Sequence, residues 1–142
     1  MSHATKKASV VALYNHPEGV KQSVRKFKNC GFDIKKLSIV GKGYKPCSSL
    51  FIIPGLGPIA VGGPLVGAIV RGFGGGIYFR GLKALREGLC RIGIPNDSLF
   101  RYKTALKNGL CLVFAQGGVD EIAKVKRVFA SSKAIEITVH YQ

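Results

Sequence analysis

SVVALYNHPEGVKQSVRKFKNCGFDIKKLSIVG, from Ser9 to Gly41, reads as a strand, a helix and a second strand in succession. Ser9 to Tyr14 is apolar and β-branched. His16-Pro17-Glu18 behind it is a helix start, because proline at the first helical position gives up an N–H that has no partner there. Val20, Val24 and Phe27 fall at i, i+4 and i+7 and form one apolar stripe, while Lys21, Arg25, Lys26 and Lys28 face away from it. Gly31 supplies the stop, and Lys36 to Gly41 (KLSIVG) resumes as a strand.

The same order recurs at the other end of the chain. Asn108-Gly109 introduces the strand Leu110 to Ala115 (LCLVFA), Val119 to Phe129 carries a helical stripe of Ile122, Val125 and Phe129, and Ala134 to Tyr141 (AIEITVHY) alternates with period two. Strand-helix-strand twice in one chain predicts an α+β fold, a ferredoxin-like split βαβ–βαβ sheet. Its helices would cover one face and leave the other open for a partner or an oligomer contact. The expected organisation is a single domain over 1–142, with a first βαβ unit at 9–45, an apolar Gly/Pro-rich insert at 46–76, two extra helices at 77–108 (one basic and amphipathic, one capped) and a second βαβ unit at 109–142.

The insert is the least ordinary segment. Pro46 to Val70 is 25 consecutive residues without a charge, in a chain whose net charge is +15. Its core, LFIIPGLGPIAVGGPLVGAIV, is as long as a membrane-crossing helix, which needs about 20 apolar residues. A straight helix is disfavoured by Pro54, Pro58 and Pro64, each costing about 3 kcal/mol in a helix interior, and by five glycines at about 1 kcal/mol apiece. The two βαβ units must also lie on the same side of any membrane to share one sheet. Lys and Arg outnumber acids by ten to two in residues 1–45 and by eight to two in 71–109, so a positive-inside bias acts on both flanks. Two full crossings would require about 40 apolar residues. The expectation is therefore a re-entrant or interfacial segment, or an arm buried by a second copy, with Leu50, Phe51, Ile52, Ile53, Ile59, Val61, Leu65, Val66, Ile69 and Val70 entering lipid or the interface.

Behind the insert, Tyr78, Leu82, Leu85, Leu89 and Ile92 recur at helical spacing with Arg80, Lys83, Arg86 and Arg91 off the seam. A basic amphipathic helix beside an apolar segment suits an anionic membrane surface, where each Lys or Arg contributes about 1 kcal/mol; Arg71, Arg80, Lys83, Arg86 and Arg91 are the candidate contacts. The plainer reading packs the seam on the sheet and leaves the arginines in water. The first apolar stretch, Val10 to Tyr14, is too short for a signal-peptide core, which gives the cytoplasmic side of the inner membrane as the expected location, with a soluble cytoplasmic protein as the alternative.

Gly93-Ile94-Pro95-Asn96-Asp97-Ser98, then Arg101-Tyr102, then Ala105-Leu106-Lys107-Asn108-Gly109 resembles a stretch found in bacterial general stress proteins of the heat-induced type. SVVALYN, the helix end Asn29-Cys30-Gly31-Phe32-Asp33, KLSIVG and the G-P-L-V type insert over Pro58 to Val70 are similar to the same family, so the resemblance runs from about Val10 to His140. It implies a membrane-associated stress protein without an established catalytic activity, and marks Gly93, Ile94, Pro95, Asp97, Tyr102, Leu106 and Gly109 as the family motif. Physically, Pro95 to Asp97 reads as a helix start capped by Asn96 or Asp97, and Leu99, Tyr102 and Leu106 as the stripe of that helix.

Catalytic chemistry has no visible constellation. His3, His16 and His140 lack partners in the sequence, the seven acids are scattered, and no G-K-[ST] phosphate loop occurs. Neither catalytic nor cofactor-binding residues are assigned. Cys30, Cys47, Cys90 and Cys111 have no metal-ligand or redox spacing, so no metal is expected and reduced, buried thiols are. Adjacent Asp120-Glu121 fits a helix start, where negative charge offsets the dipole. Two other partners compete with the membrane and with a homo-oligomer. A pI near 10.0 and an open sheet would suit RNA, but SVVALY and LCLVFA lack the basic-Gly-aromatic pattern of RNA-reading strands; lysines 21, 26, 28, 35, 36, 42 and 45 offer only non-specific attraction. A ligand-binding or dimerisation module is an analogy drawn from the fold.

Overall fold

The computed structural model describes residues 7–41, 49–53, 57–63 and 81–141. The chain forms an α+β fold on an antiparallel sheet. Its strands are β1 (Lys7–Tyr14), β2 (Leu37–Gly41), β3 (Ser49–Ile53), β4 (Gly57–Gly62), β5 (Cys111–Gly118) and β6 (Glu136–Tyr141); its helices are α1 (Pro17–Asn29), α2 (Gly81–Arg91), α3 (Leu99–Lys107) and α4 (Ile122–Ser131). The strand order is β3-β4-β2-β5-β1-β6. β1 lies between β5 and β6, with Val11 opposite both Phe114 and Thr138.

Both inner strands are apolar on both sides, and each side packs on its own helix pair. Ala8, Val10, Ala12 and Tyr14 of β1 join Cys111, Val113 and Ala115 of β5 beneath Val20 and Phe27 of α1 and Val125, Val128 and Phe129 of α4. The rings of Phe27 and Phe129 meet edge to face at 5.2 Å, and the Tyr14 hydroxyl bonds Ser132 Oγ at 2.6 Å in the same layer. The alternate residues Val11, Leu13, Leu112 and Phe114, with Val40 of β2, meet Leu89, Ile92, Ile94, Leu99, Tyr102, Ala105 and Leu106. Ser9 Oγ donates to the Ile92 carbonyl, tying the end of α2 to β1.

Three expectations are corrected here. The sheet face expected to stay open is covered by α2 and α3, because β1 and β5 present apolar side chains in both directions and an uncovered face would leave that area in water. That face therefore presents no open sheet over β1 and β5. The 46–76 insert, expected as a re-entrant or interfacial segment or an arm buried by a second copy, extends the sheet in its described part: Ser49–Ile53 and Gly57–Gly62 pair with each other, and β4 pairs with β2 at Ile39–Gly62, Val40–Val61 and Gly41–Ala60. Pro58 stands beyond those three β2 pairs, so its missing N–H takes no bond from them. Finally, α3 is not capped by Asn96 or Asp97. A 3-10 turn over Asn96–Ser98 leads into it, with Ser98 N–H donating to the Pro95 carbonyl at 3.0 Å, and no side chain caps either start.

α1 and α3 stop where glycine supplies positive φ, at Gly31 (+82°) and Gly109 (+83°). α4 ends on Lys133 instead, at φ +67°, where Ala134 N–H donates back to the Phe129 carbonyl at 3.2 Å. Among the described residues no helix is long and apolar enough to cross a membrane.

Candidate anionic-surface groove

α2 and α3 meet at the turn Ile92–Ser98, and an open groove of about 750 Å³ runs along their outer side. It is lined by Arg86, Glu87, Cys90 and Arg91 from α2, by Asn96 from the turn, and by Leu99 and Phe100 at the start of α3. The helical period explains the arrangement: Leu89 and Ile92 are each only 4% exposed in the core, so Arg86, Cys90 and Arg91 face out. Phe100 follows the buried Leu99 and is 76% exposed, the most open large apolar side chain among the described residues. Cys90 Sγ donates to Asn96 Oδ1 at 3.1 Å and holds the turn against the helix. The groove thus combines two exposed guanidinium groups, one carboxylate and one bare aromatic ring, a set suited to anionic headgroups over an apolar layer.

The seam expected to face lipid is split. Leu89 and Ile92 pack on the sheet, as the plainer reading has it, while Arg86 and Arg91 are exposed and line the groove. Lys83 lies within α2. Leu50, Phe51, Ile52 and Ile53 lie in β3, and Ile59 and Val61 in β4. Leu65, Val66, Ile69, Val70, Arg71, Tyr78 and Arg80 fall outside the described residues.

The motif residues have structural positions. Ile94, Tyr102 and Leu106 are buried, Gly93 and Gly109 occupy positive φ, and Pro95 and Asp97 are exposed at the 3-10 turn. Tyr102 also completes a clasp between α3 and β6 that sequence alone did not reveal. Arg101 Nη2 donates to the Tyr102 hydroxyl at 3.2 Å, and that hydroxyl meets His140 Nε2 at 2.6 Å. The phenol oxygen thus bridges the guanidinium and the imidazole, the tautomer of His140 setting whether phenol or imidazole donates in the second bond. Arg101 also approaches Glu136 at 3.8 Å and lies 5.2 Å from the Tyr102 ring. Burial pushes the Tyr102 phenol up; burial and then the Arg101 charge push His140 down, with Asp97 opposing. At neutral pH the imidazole is uncharged and the phenol protonated, and their hydrogen bond clasps α3 to β6.

A smaller cavity of about 450 Å³ lies beneath Lys7, Lys35 and Lys36, but Asp120 and Glu121 line it too. Lys36 pairs with Glu121 at 3.5 Å, and the same carboxylate accepts Gly118 N–H at 3.1 Å, consistent with the helix-start role read for these acids. Cys30, Cys90 and Cys111 are free thiols, and burial is limited to Cys111, whose thiol it pushes up; the expectation of buried cysteines fails at the other two. No three His, Cys, Asp or Glu side chains converge among the described residues. Phe100 and Asn96 were the groove residues legible in principle, since Phe100 falls off the Leu99, Tyr102 and Leu106 stripe. Comparison with known proteins finds no family model, no curated protein and no solved structure that matches this chain.

Proposed function

We propose that this chain is a non-enzymatic, membrane-associated stress protein whose cytoplasmic α+β domain docks on the anionic inner surface of the membrane through the α2–α3 groove. The observation that carries the reading is Arg86 and Arg91 exposed beside a bare Phe100, on the helix that follows the uncharged run in sequence. Basic side chains supply attraction to anionic lipid, and an exposed ring supplies the apolar contact that charge alone lacks. The resemblance of Gly93 to Gly109 to the general stress proteins favours the same reading. A ferredoxin-like split arrangement is the finer fold we infer: the order β2-β5-β1-β6 has antiparallel neighbours throughout, and α1 and α4 share one face.

Sedimentation with anionic and neutral vesicles across a salt series tests this. Wild-type protein pellets with anionic vesicles and is released by salt, while Arg86→Gln/Arg91→Gln/Phe100→Ser loses about tenfold or more in affinity. Equal binding of the variant would reject the groove. Lipid-independent pelleting that follows protein concentration would point to docking on its own copies instead.

A further inference from the structure

The opposite side of the molecule carries a second basic surface of different character. Lys21, Arg25, Lys26 and Lys28 on α1 and Lys124, Lys126 and Arg127 on α4, with Lys133 just beyond, place eight cations on one helical layer, against Glu18 alone within residues 17–29 and 122–133. The layer is held rigidly: Phe27 and Phe129 interlock beneath it, and Lys26 Nζ donates across the two helices to the Ser131 carbonyl at 2.9 Å and meets Ser131 Oγ at 3.1 Å. The ion pairs among the described residues are Lys36–Glu121 and Arg101–Glu136, so Lys21, Arg25, Lys28, Lys126, Arg127 and Lys133 carry uncompensated charge into water.

We propose that this α1–α4 face binds the phosphodiester backbone of nucleic acid without reading its sequence. Charge and length agree with that partner. α1 has 13 residues and is therefore about 20 Å long, a distance over which a duplex carries about a dozen phosphate charges at one per roughly 1.7 Å. Membrane binding is disfavoured on this side because it needs buried apolar area as well as charge, and no large apolar side chain within α1 or α4 is exposed. The face is dominated by lysine and arginine, with no exposed aromatic platform on either helix for stacking on bases, a composition suited to phosphate contacts.

Fluorescence anisotropy of full-length protein with a labelled duplex of about 30 base pairs, over a salt series and with two unrelated sequences, is the test. Wild-type protein binds both sequences equally, with a log–log salt slope near −4 to −5. Lys21→Gln/Arg25→Gln/Lys126→Gln/Arg127→Gln, all at exposed positions, lowers affinity about 100-fold at low salt and flattens the slope by about 3. The charge-keeping variant Lys21→Arg/Arg25→Lys/Lys126→Arg/Arg127→Lys retains binding, and Arg86→Gln/Arg91→Gln leaves it within about threefold. Duplex binding unchanged in the four-glutamine variant, with native circular dichroism, overturns the proposal. So does a variant that loses anionic-vesicle binding and keeps the duplex, which would assign this face to lipid.

Discussion

His140 shows how one side chain links packing to pH. It shares a hydrogen bond with the Tyr102 hydroxyl; burial is the largest influence opposing its protonation, Arg101 adds to it and Asp97 counters; Glu136 and Thr138 share its strand. Its native pKa lies below the ordinary 6.5 that it recovers on unfolding. Between those values the unfolded chain binds the proton and the folded chain does not, so the stabilisation is fully present above about 6.5 and is lost as pH falls through that value toward the native one. We expect the urea midpoint of the wild type to fall between about pH 7.5 and 5, and His140→Gln to show a shallower fall from a lower start. Parallel pH profiles for the two proteins would remove His140 from this role. The clasp was invisible in the sequence because Tyr102 and His140 are 38 residues apart and meet only once β6 has paired with β1.

At the scale of elements, the β3–β4 hairpin carries the lesson about what local pattern tells. Helices announced themselves: Val20 and Phe27, Ile122, Val125 and Phe129, and Leu99, Tyr102 and Leu106 are all buried where the 3.6 period put them. Strands 49–53 and 57–62 did not, because an uncharged run broken by proline and glycine fits lipid and a sheet edge equally well until its pairing partner is known. The cue to the covered face was present in SVVALY and LCLVFA, which are apolar continuously and not alternately, the pattern of strands buried on both sides. β6, with a covered neighbour on only one edge, alternates instead. The hairpin's attachment to β2 turns on Gly63, at φ +86°, where an added Cβ would stand 1.9 Å from the Leu37 carbonyl oxygen. Gly63→Ala should therefore cost about 2–4 kcal/mol of local stability. Hydrogen exchange locates it: amides of the β2–β4 ladder lose protection while those between β1 and β5 keep theirs. Uniform loss across the sheet would mean that the hairpin is integral to the global unfolding unit.

Over the whole molecule the governing quantity is the net charge of +15 on 142 residues. Cations crowd both helical layers, Arg86 and Arg91 on one and the α1–α4 rows on the other, and a compact state that concentrates like charge is weakened by its own repulsion. Attractive pairs do little to offset it. Lys36–Glu121 and Arg101–Glu136 are partly exposed at 3.5 and 3.8 Å, and such surface pairs contribute about 0–1 kcal/mol each. Screening should then remove more repulsion than attraction, because the Debye length shrinks from about 14 Å to about 4 Å between roughly 0.05 and 0.5 M salt. We expect Tm to rise by about 3–6 °C over that range of sodium chloride, a shift of about 1–2 kcal/mol for a chain of this size. A falling Tm would show that specific pairs outweigh the net field. The sign matters beyond stability. Vesicle and duplex binding are both expected to weaken over the same salt range in which the fold strengthens, so a loss of binding accompanied by a higher Tm reports released contacts at the surface and cannot be attributed to unfolding.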